Sequence, residues 1–341
     1  MLEMKILAPQ TELHMVSSTD VPPEPVSKPT FPLLLQEEHR AELIEGLLQT
    51  QKRISGKYLN DEVGSEIFSA IANLPEYYPA HTESALLRHA APMIAERMPC
   101  DSRLIEFGCG AFGSAKLLIE AIPHISSYVP IDLCPTKLQS VVTDLTFEYP
   151  GLSIQPIQSD LDRDRISGHG VNGYGAIGYA SGASLARHAS ENVSKLLKWW
   201  RSWLGTGSRL VVGIDLAKDT PTLVRAREDW AGLTAAYNLN LLARLNRELN
   251  ANFDLGMFSH RAIWNSSESR VEMHLVSEVE QKVEVAGVNL RFAAGETINT
   301  DNSYVRDFDE FQALAADAGW KSMLGWVSGK PSYALLMFEA T

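Results

Sequence analysis

The stretch Arg103–Gly113, R-L-I-E-F-G-C-G-A-F-G, constrains this chain more than any other. Leu104, Ile105 and Phe107 form a short apolar run, Gly108, Gly110 and Gly113 follow, and Ser114 to Ala121 reads as the start of a helix. A strand, a tight glycine turn and a helix N-terminus are therefore expected. Glycine lets the backbone approach a ligand, and the exposed N–H groups of a helix start attract a carboxylate or phosphate. The spacing satisfies G-x-G-x-x-G, so a nicotinamide-dependent oxidoreductase is one alternative.

Glu106 argues for a different ligand. An acid two residues before the first glycine is expected at the strand tip facing the ligand, where it repels a pyrophosphate and suits a cation. S-adenosylmethionine carries a sulfonium and an ammonium beside one carboxylate, and E-x-G-x-G is the usual first motif of its Rossmann-like methyltransferases. A structural turn with a surface Glu is the bland alternative. Downstream, Ser127 to Ile131 reads as a second strand ending at Asp132, where an acid can accept hydrogen bonds from ribose hydroxyls. Asp132 could also be a plain cap for the helix from Pro135. Ser153 to Ile157 is a third strand candidate followed by Asp160, an acid that fits an adenine amino group. Ala176 to Ala180 and Arg209 to Ile214, ending at Asp215, are the fourth and fifth. Helical patterns between them, notably Asn192 to Leu204, argue an α/β doubly wound, mainly parallel sheet with ligands over the strand ends.

Composition narrows the function classes. A net charge of -12 disfavours nucleic acid or an anionic membrane as partner. Cys100, Cys109 and Cys134 lack C-x-x-C spacing, so a reducing, cytoplasmic setting is expected rather than a disulfide scaffold. No run reaches membrane-spanning length, and the nine histidines show no metal-ligand spacing, so no metal is expected.

Along the chain, the prolines of residues 1 to about 35 suggest a mobile leader. Helical patterns follow at Glu37 to Gln51 and Asp61 to Ala72. L-P-E-Y-Y-P then makes a rigid aromatic loop, whose tyrosines are packing groups or ligand contacts, before a helix opening at His81 or Thr82. Pro221 to Leu249 reads as two helices broken at Ala231-Gly232. Arg270 to Leu275 and Glu278 to Val285 alternate as strands of an antiparallel meander, Asp307 to Ala318 is helical, and Tyr333 to Phe338 is a last strand rejoining the sheet.

Read together, L-P-E-Y-Y-P, L-I-E-F-G-C-G, D-L-A-K-D, T-A-A-Y-N-L-N-L-L-A-R-L-N-R-E-L, R-V-E-M-H-L and R-F-A-A-G-E-T-I resemble the histidine-specific Nα-methyltransferases that make hercynine for ergothioneine biosynthesis. The similarity runs from about Glu38 to the C-terminus. It implies a class I Rossmann-like methyltransferase domain over 82–217 and 306–341, and an α+β substrate domain over 36–81 and 218–305. It also implies S-adenosyl-L-methionine as cofactor and iterative N-methylation of an α-amine on a small amino acid or amine, by a monomer or weak homodimer.

Carried over residue by residue, Gly108, Asp132 and Asp160 match the family's cofactor contacts, with Glu106 and Gly110 in the same turn and Leu161 where the family usually has Phe. Tyr77, Met273 and Ser303 match positions lining its imidazole pocket. Its carboxylate-holding Asn is Ser184 here, in Y-A-S-G-A-S, whose Tyr179 replaces a glycine. The tyrosine sharing that carboxylate is Arg227, the imidazole-binding acid is shortened to Asp301, and the tyrosine beside the amine is Asn60. A guanidinium grips a carboxylate with two charge-assisted bonds, so Arg227 can restore anion binding, or it can pair with Glu228, Asp229 or Asp301 instead. Tyr77, or a water held by Asn60 or Ser303, is the expected acceptor of the amine proton. These exchanges argue against histidine itself as substrate, and a cofactor-binding protein without catalysis is the remaining alternative.

Overall fold

The computed structural model describes residues 37–109, 113–122, 124–162 and 175–341. The expected leader and Gly110 lie outside these residues. Across the larger sheet lie Trp320–Ser328, Tyr333–Ala340, Arg209–Asp215, Ala176–Ala180, Ser102–Phe107, Ile125–Asp132 and Ser153–Ile154, with Ile157–Gln158 also paired to Ile125–Asp132. The strands from Ser102 through Asp215 pair in parallel, and Tyr333–Ala340 returns antiparallel to Arg209–Asp215. The third strand candidate is split in two, because Pro156 between the pieces has no N–H for a ladder.

Strand parity divides this sheet into two cores. Ile105, Phe107, Val129 and Ile131 pack on one face beneath the helices Ser190–Leu204 and Phe308–Asp317, where Phe107 stacks on Trp200 with centroids 4.3 Å apart. Leu104, Tyr128, Ile177 and Tyr179 pack on the other face, under the helices Tyr78–Ala95 and Ser114–Ala121. The first of these two helices begins earlier than the sequence suggested, since Pro79 fits its opening turn and needs no N–H partner there.

A separate layer is built from the helices Glu37–Leu48, Glu62–Ile71 and Leu233–Leu249 against a four-stranded sheet, ordered Lys52–Arg53, Thr297–Tyr304, Arg270–Ser277 and Phe258–Asn265. Gly232, at φ 74°, caps the long helix where the sequence placed its break. The segment after Glu278 does not join this meander. It forms its own hairpin, Gln281–Val285 with Val288–Phe292, closed by Ala286 and Gly287, both at positive φ as a two-residue primed turn requires. The strand Thr297–Tyr304, T-I-N-T-D-N-S-Y, was not anticipated: its Asn, Asp and Thr residues carry little strand signal, and long-range pairing supplies the rest. No helix among the described residues is long and apolar enough to cross a membrane.

Candidate active site

A cavity of about 790 Å³ opens over the carboxyl ends of the parallel strands. Gly108, Asp132, Leu133, Ser159, Asp160 and Leu161 line one wall. Gly108 sits at φ 81°, and a Cβ there would lie 2.5 Å from the Ser184 hydroxyl, so both the turn and the close packing demand glycine. Asp132 accepts the Cys134 amide at 2.9 Å on one oxygen and Lys137 Nζ at 3.2 Å on the other. Asp160, 5% exposed, accepts the Asp162 amide at 3.0 Å and Lys57 Nζ at 2.8 Å. Asp132 accepts only these two bonds among the described residues, and a carboxylate can accept more. Lys57 carries no local motif, and it reaches Asp160 across 103 positions and also meets Glu42 at 2.8 Å.

Three expectations are corrected. Glu106 is not among the residues that line the cavity: it is 1% exposed, and its carboxylate accepts the Tyr128 hydroxyl on the face under Tyr78–Ala95 and Ser114–Ala121. Tyr179 shares that parity and is likewise absent from the walls. Its hydroxyl donates to Glu83 at 2.5 Å, and Glu83, fully buried, also accepts Tyr333 at 2.5 Å and the Gly182 amide at 3.0 Å. Asp215, too, is buried away from the cavity, where it accepts hydrogen bonds from Tyr78 and Lys218.

Beyond the cavity lies a recess of about 30 Å³, room for one or two waters. Tyr77, Arg227, Met273, Asp301 and Ser303 converge on it from four separate segments of chain, and Phe68, Ala183, Arg187, Asp301 and Asn302 line both spaces. The strand register puts Asp301 opposite Met273 and Ser303 opposite Val271. Arg227 lies 4.9 Å over the Tyr77 ring and donates to the Ser303 hydroxyl at 2.7 Å. Among the described residues it has no carboxylate within 4 Å. Asp229 instead accepts the amides of Leu233 and Thr234 at the next helix. Ser184 is on the cavity wall, 3.1 Å from the Ser181 hydroxyl, and not in the recess, so it and Arg227 do not form one clamp.

Burial raises the Tyr77 pKa above the ordinary phenol value, leaving a neutral hydroxyl at pH 7 and a poor base. Asn60 lines the cavity with its carbonyl oxygen held by the Tyr237 hydroxyl at 2.7 Å. Arg187, which the sequence reading missed, donates to Gly56 O at 3.1 Å and to Tyr237 at 3.3 Å, and lies 3.7 Å from Asp301. Gly56 has to be glycine here, because a Cβ would fall 2.0 Å from an Asp301 oxygen. No metal-binding group of His, Cys, Asp and Glu occurs among the described residues.

These walls suit a nucleoside bearing cationic groups. Asp132 and Asp160 offer acceptors at two strand ends, each steadied by a lysine, and the cavity is of ordinary ligand size. A family model described as histidine-specific methyltransferase, SAM-dependent, matches residues 39–340. The histidine N-alpha-methyltransferase of Mycolicibacterium smegmatis is 35% identical over 87% of this chain and 93% of that protein. The N-methyltransferase fsqC of Aspergillus fumigatus is 25% identical over 85% of this chain and 81% of its own length. Among solved structures, the magnesium protoporphyrin IX methyltransferase of Synechocystis aligns over 82% of this chain and 95% of its own, at 10% identity and a TM-score of 0.45.

Proposed function

The chain belongs to the histidine-specific, S-adenosylmethionine-dependent methyltransferases, and from that premise we propose that it methylates the α-amine of an amino acid whose carboxylate is held by Arg227. The observation that carries this reading is a half-buried guanidinium with no carboxylate within 4 Å among the described residues, lining the recess beside Tyr77, Met273 and Ser303. A cation partly withdrawn from water with no counter-charge beside it carries a desolvation cost, and a substrate anion offsets that cost. Arg227 also donates to Ser303, which the resemblance counts among the lining of the imidazole pocket, and that contact supports a different acceptor from histidine. We assign the cofactor to 82–217 with 306–341, and the acceptor to 36–81 with 218–305. Three free cysteines, two of them buried, agree with a reducing compartment.

When bound, S-adenosylmethionine supplies an electrophilic methyl carbon to the amine lone pair, and the C–S electron pair returns to sulfur. Asp132 would take the ribose hydroxyls, with Asp160 and Leu161 at the adenine and the Gly108 backbone close to the amino-acid tail. The nucleophile has to be an unprotonated amine. Arg227 is a positive wall beside it, whereas Arg187 is offset by Asp301, and like charge lowers an ammonium pKa, which favours release of the proton to water in the outer cavity. Holding amine and methyl carbon in line then supplies much of the rate advantage.

Mass spectrometry of wild-type enzyme with deuterated-methyl cofactor and a panel of amino acids and simple amines tests this. Label is expected on the α-nitrogen of carboxylate-bearing acceptors. Equal labelling of the matching amines without a carboxylate would refute the Arg227 assignment.

A further inference from the structure

Three residues between the recess and the cavity, Arg187, Tyr237 and Asn60, form a directional chain of hydrogen bonds. Arg187 Nη2 can only donate, and it donates to the Tyr237 oxygen at 3.3 Å. The single hydroxyl proton of Tyr237 is therefore free for Asn60 Oδ1 at 2.7 Å. Tyr237 is 3% exposed, and burial pushes its pKa up to about 12, so that proton is retained at any physiological pH. Turning the Asn60 amide over would face its NH2 to an oxygen already receiving Arg187 and strand the hydroxyl proton in a buried place, at a cost of an unmade bond. The amide orientation is thus dictated by its neighbours. Its NH2 group has no hydrogen-bond partner among the described residues, and Asn60 lines the outer cavity alongside Phe68, Arg187 and Asp301, which are also walls of the recess.

We propose that Arg187 and Tyr237 are positioning residues that fix Asn60 as an obligate hydrogen-bond donor, so that this corner receives an oxygen of the acceptor and not its nitrogen. The proposal rests on the Arg227 reading for the other end of the molecule. With one carboxylate in the recess, a second oxygen-bearing group belongs at Asn60. The acceptor class that results is an amino acid whose side chain ends in a carboxylate or carboxamide. An amide N–H pointed at the amine would occupy the lone pair that must attack, which is a further reason for placing an oxygen there.

Asn60→Asp reads the sign of this corner, because it keeps the Tyr237 bond and replaces the donor with a negative oxygen. The probes are L-glutamate, L-glutamine and L-alanine, with kcat and KM measured for each and S-adenosylhomocysteine affinity measured alongside. An oxygen at this corner predicts a KM for L-glutamate raised by about 10-fold or more in Asn60→Asp, equivalent to roughly 1.4 kcal/mol. The KM for L-glutamine should rise less and that for L-alanine least, and the ratio of the L-glutamate to the L-alanine KM reads the corner apart from any general effect of the added charge on the cavity. Tyr237→Phe, which frees the amide to turn, should raise the same two KM values with a smaller change in kcat. A lowered KM in Asn60→Asp would mean that an ammonium sits here, and the proposal would be overturned. So would a wild-type enzyme that ignores L-glutamate and L-glutamine while methylating L-alanine, an outcome that leaves the Arg227 reading intact. Failure of every carboxylate-bearing acceptor would instead sink that reading.

Discussion

Asp132 ends the second parallel strand with both carboxylate oxygens already steadied, one by the Cys134 amide and one by Lys137. A carboxylate so fixed loses little freedom when it accepts ribose hydroxyls, and bonds to a charged acceptor are worth about 1.5–3 kcal/mol each. Asp132→Ala is therefore expected to weaken S-adenosylhomocysteine binding by roughly 100-fold or more in calorimetry. Unchanged affinity would remove Asp132 from the site. Arg227→Met should leave that affinity alone and raise the acceptor KM, since its contacts are Tyr77, Ser303 and the recess. At this scale, the places of Gly108, Asp132 and Asp160 on one cavity wall were legible because a glycine turn and strand-end acids are local patterns. Glu106 and Tyr179 were misplaced: a period-two strand sends them to the face under Tyr78–Ala95 and Ser114–Ala121, and only the packed sheet reveals which face that is. Arg187, Tyr237 and Glu83 could not be read at all, because their partners lie 50 to 250 positions away.

The helix Glu62–Ile71 shows how an element carries a site residue. Asp61 caps it by accepting the Gly64 amide at 2.7 Å, and the same carboxylate receives Asn240 Nδ2 at 2.7 Å and Arg247 at 2.5 Å. Phe68, on this helix, lines both cavity and recess. Asp61→Ala removes a cap and leaves the buried Asn240 amide unpaired, for a combined cost of about 2–3 kcal/mol in urea unfolding. The acceptor KM should rise with it while S-adenosylhomocysteine affinity holds. A loss below about 0.5 kcal/mol would show that the contacts carry little load. Helix positions were largely readable from apolar spacing and caps, as at Gly232 and at Asp307, which accepts two amides at the start of Phe308–Asp317. The strands Phe258–Asn265 and Thr297–Tyr304 were not, because their stability comes from neighbours in the sheet more than from their own composition.

For the molecule as a whole, a ligand that binds only the folded state stabilises it by about 2.7 kcal/mol at 100 times its Kd. S-adenosylhomocysteine should give this shift in chemical denaturation and NAD should give none; the reverse would favour dinucleotide chemistry. The acid side of the stability curve has a named contributor. His260 takes the Asn238 amide at 2.9 Å on one nitrogen and faces the Arg227 carbonyl at 2.8 Å with the other. Burial holds its pKa below the ordinary imidazole value, and burial lowers His188 similarly. Each therefore contributes stability that is complete above about pH 6.5 and is lost as pH falls toward the folded-state value, since the unfolded chain takes up the proton first. Unfolding midpoints should drop between pH 7 and pH 5, with a shallower slope in His260→Gln. An identical slope in that variant would acquit His260.

The most direct measurement is a crystal structure of the enzyme with S-adenosylhomocysteine and the acceptor identified by the labelling panel. The expected result is an acceptor carboxylate within about 3 Å of the Arg227 guanidinium, in the geometry of a charge-assisted pair, with the α-nitrogen directed at the sulfur. An acceptor whose carboxylate lies elsewhere, with Arg227 turned to a protein carboxylate, would contradict the account.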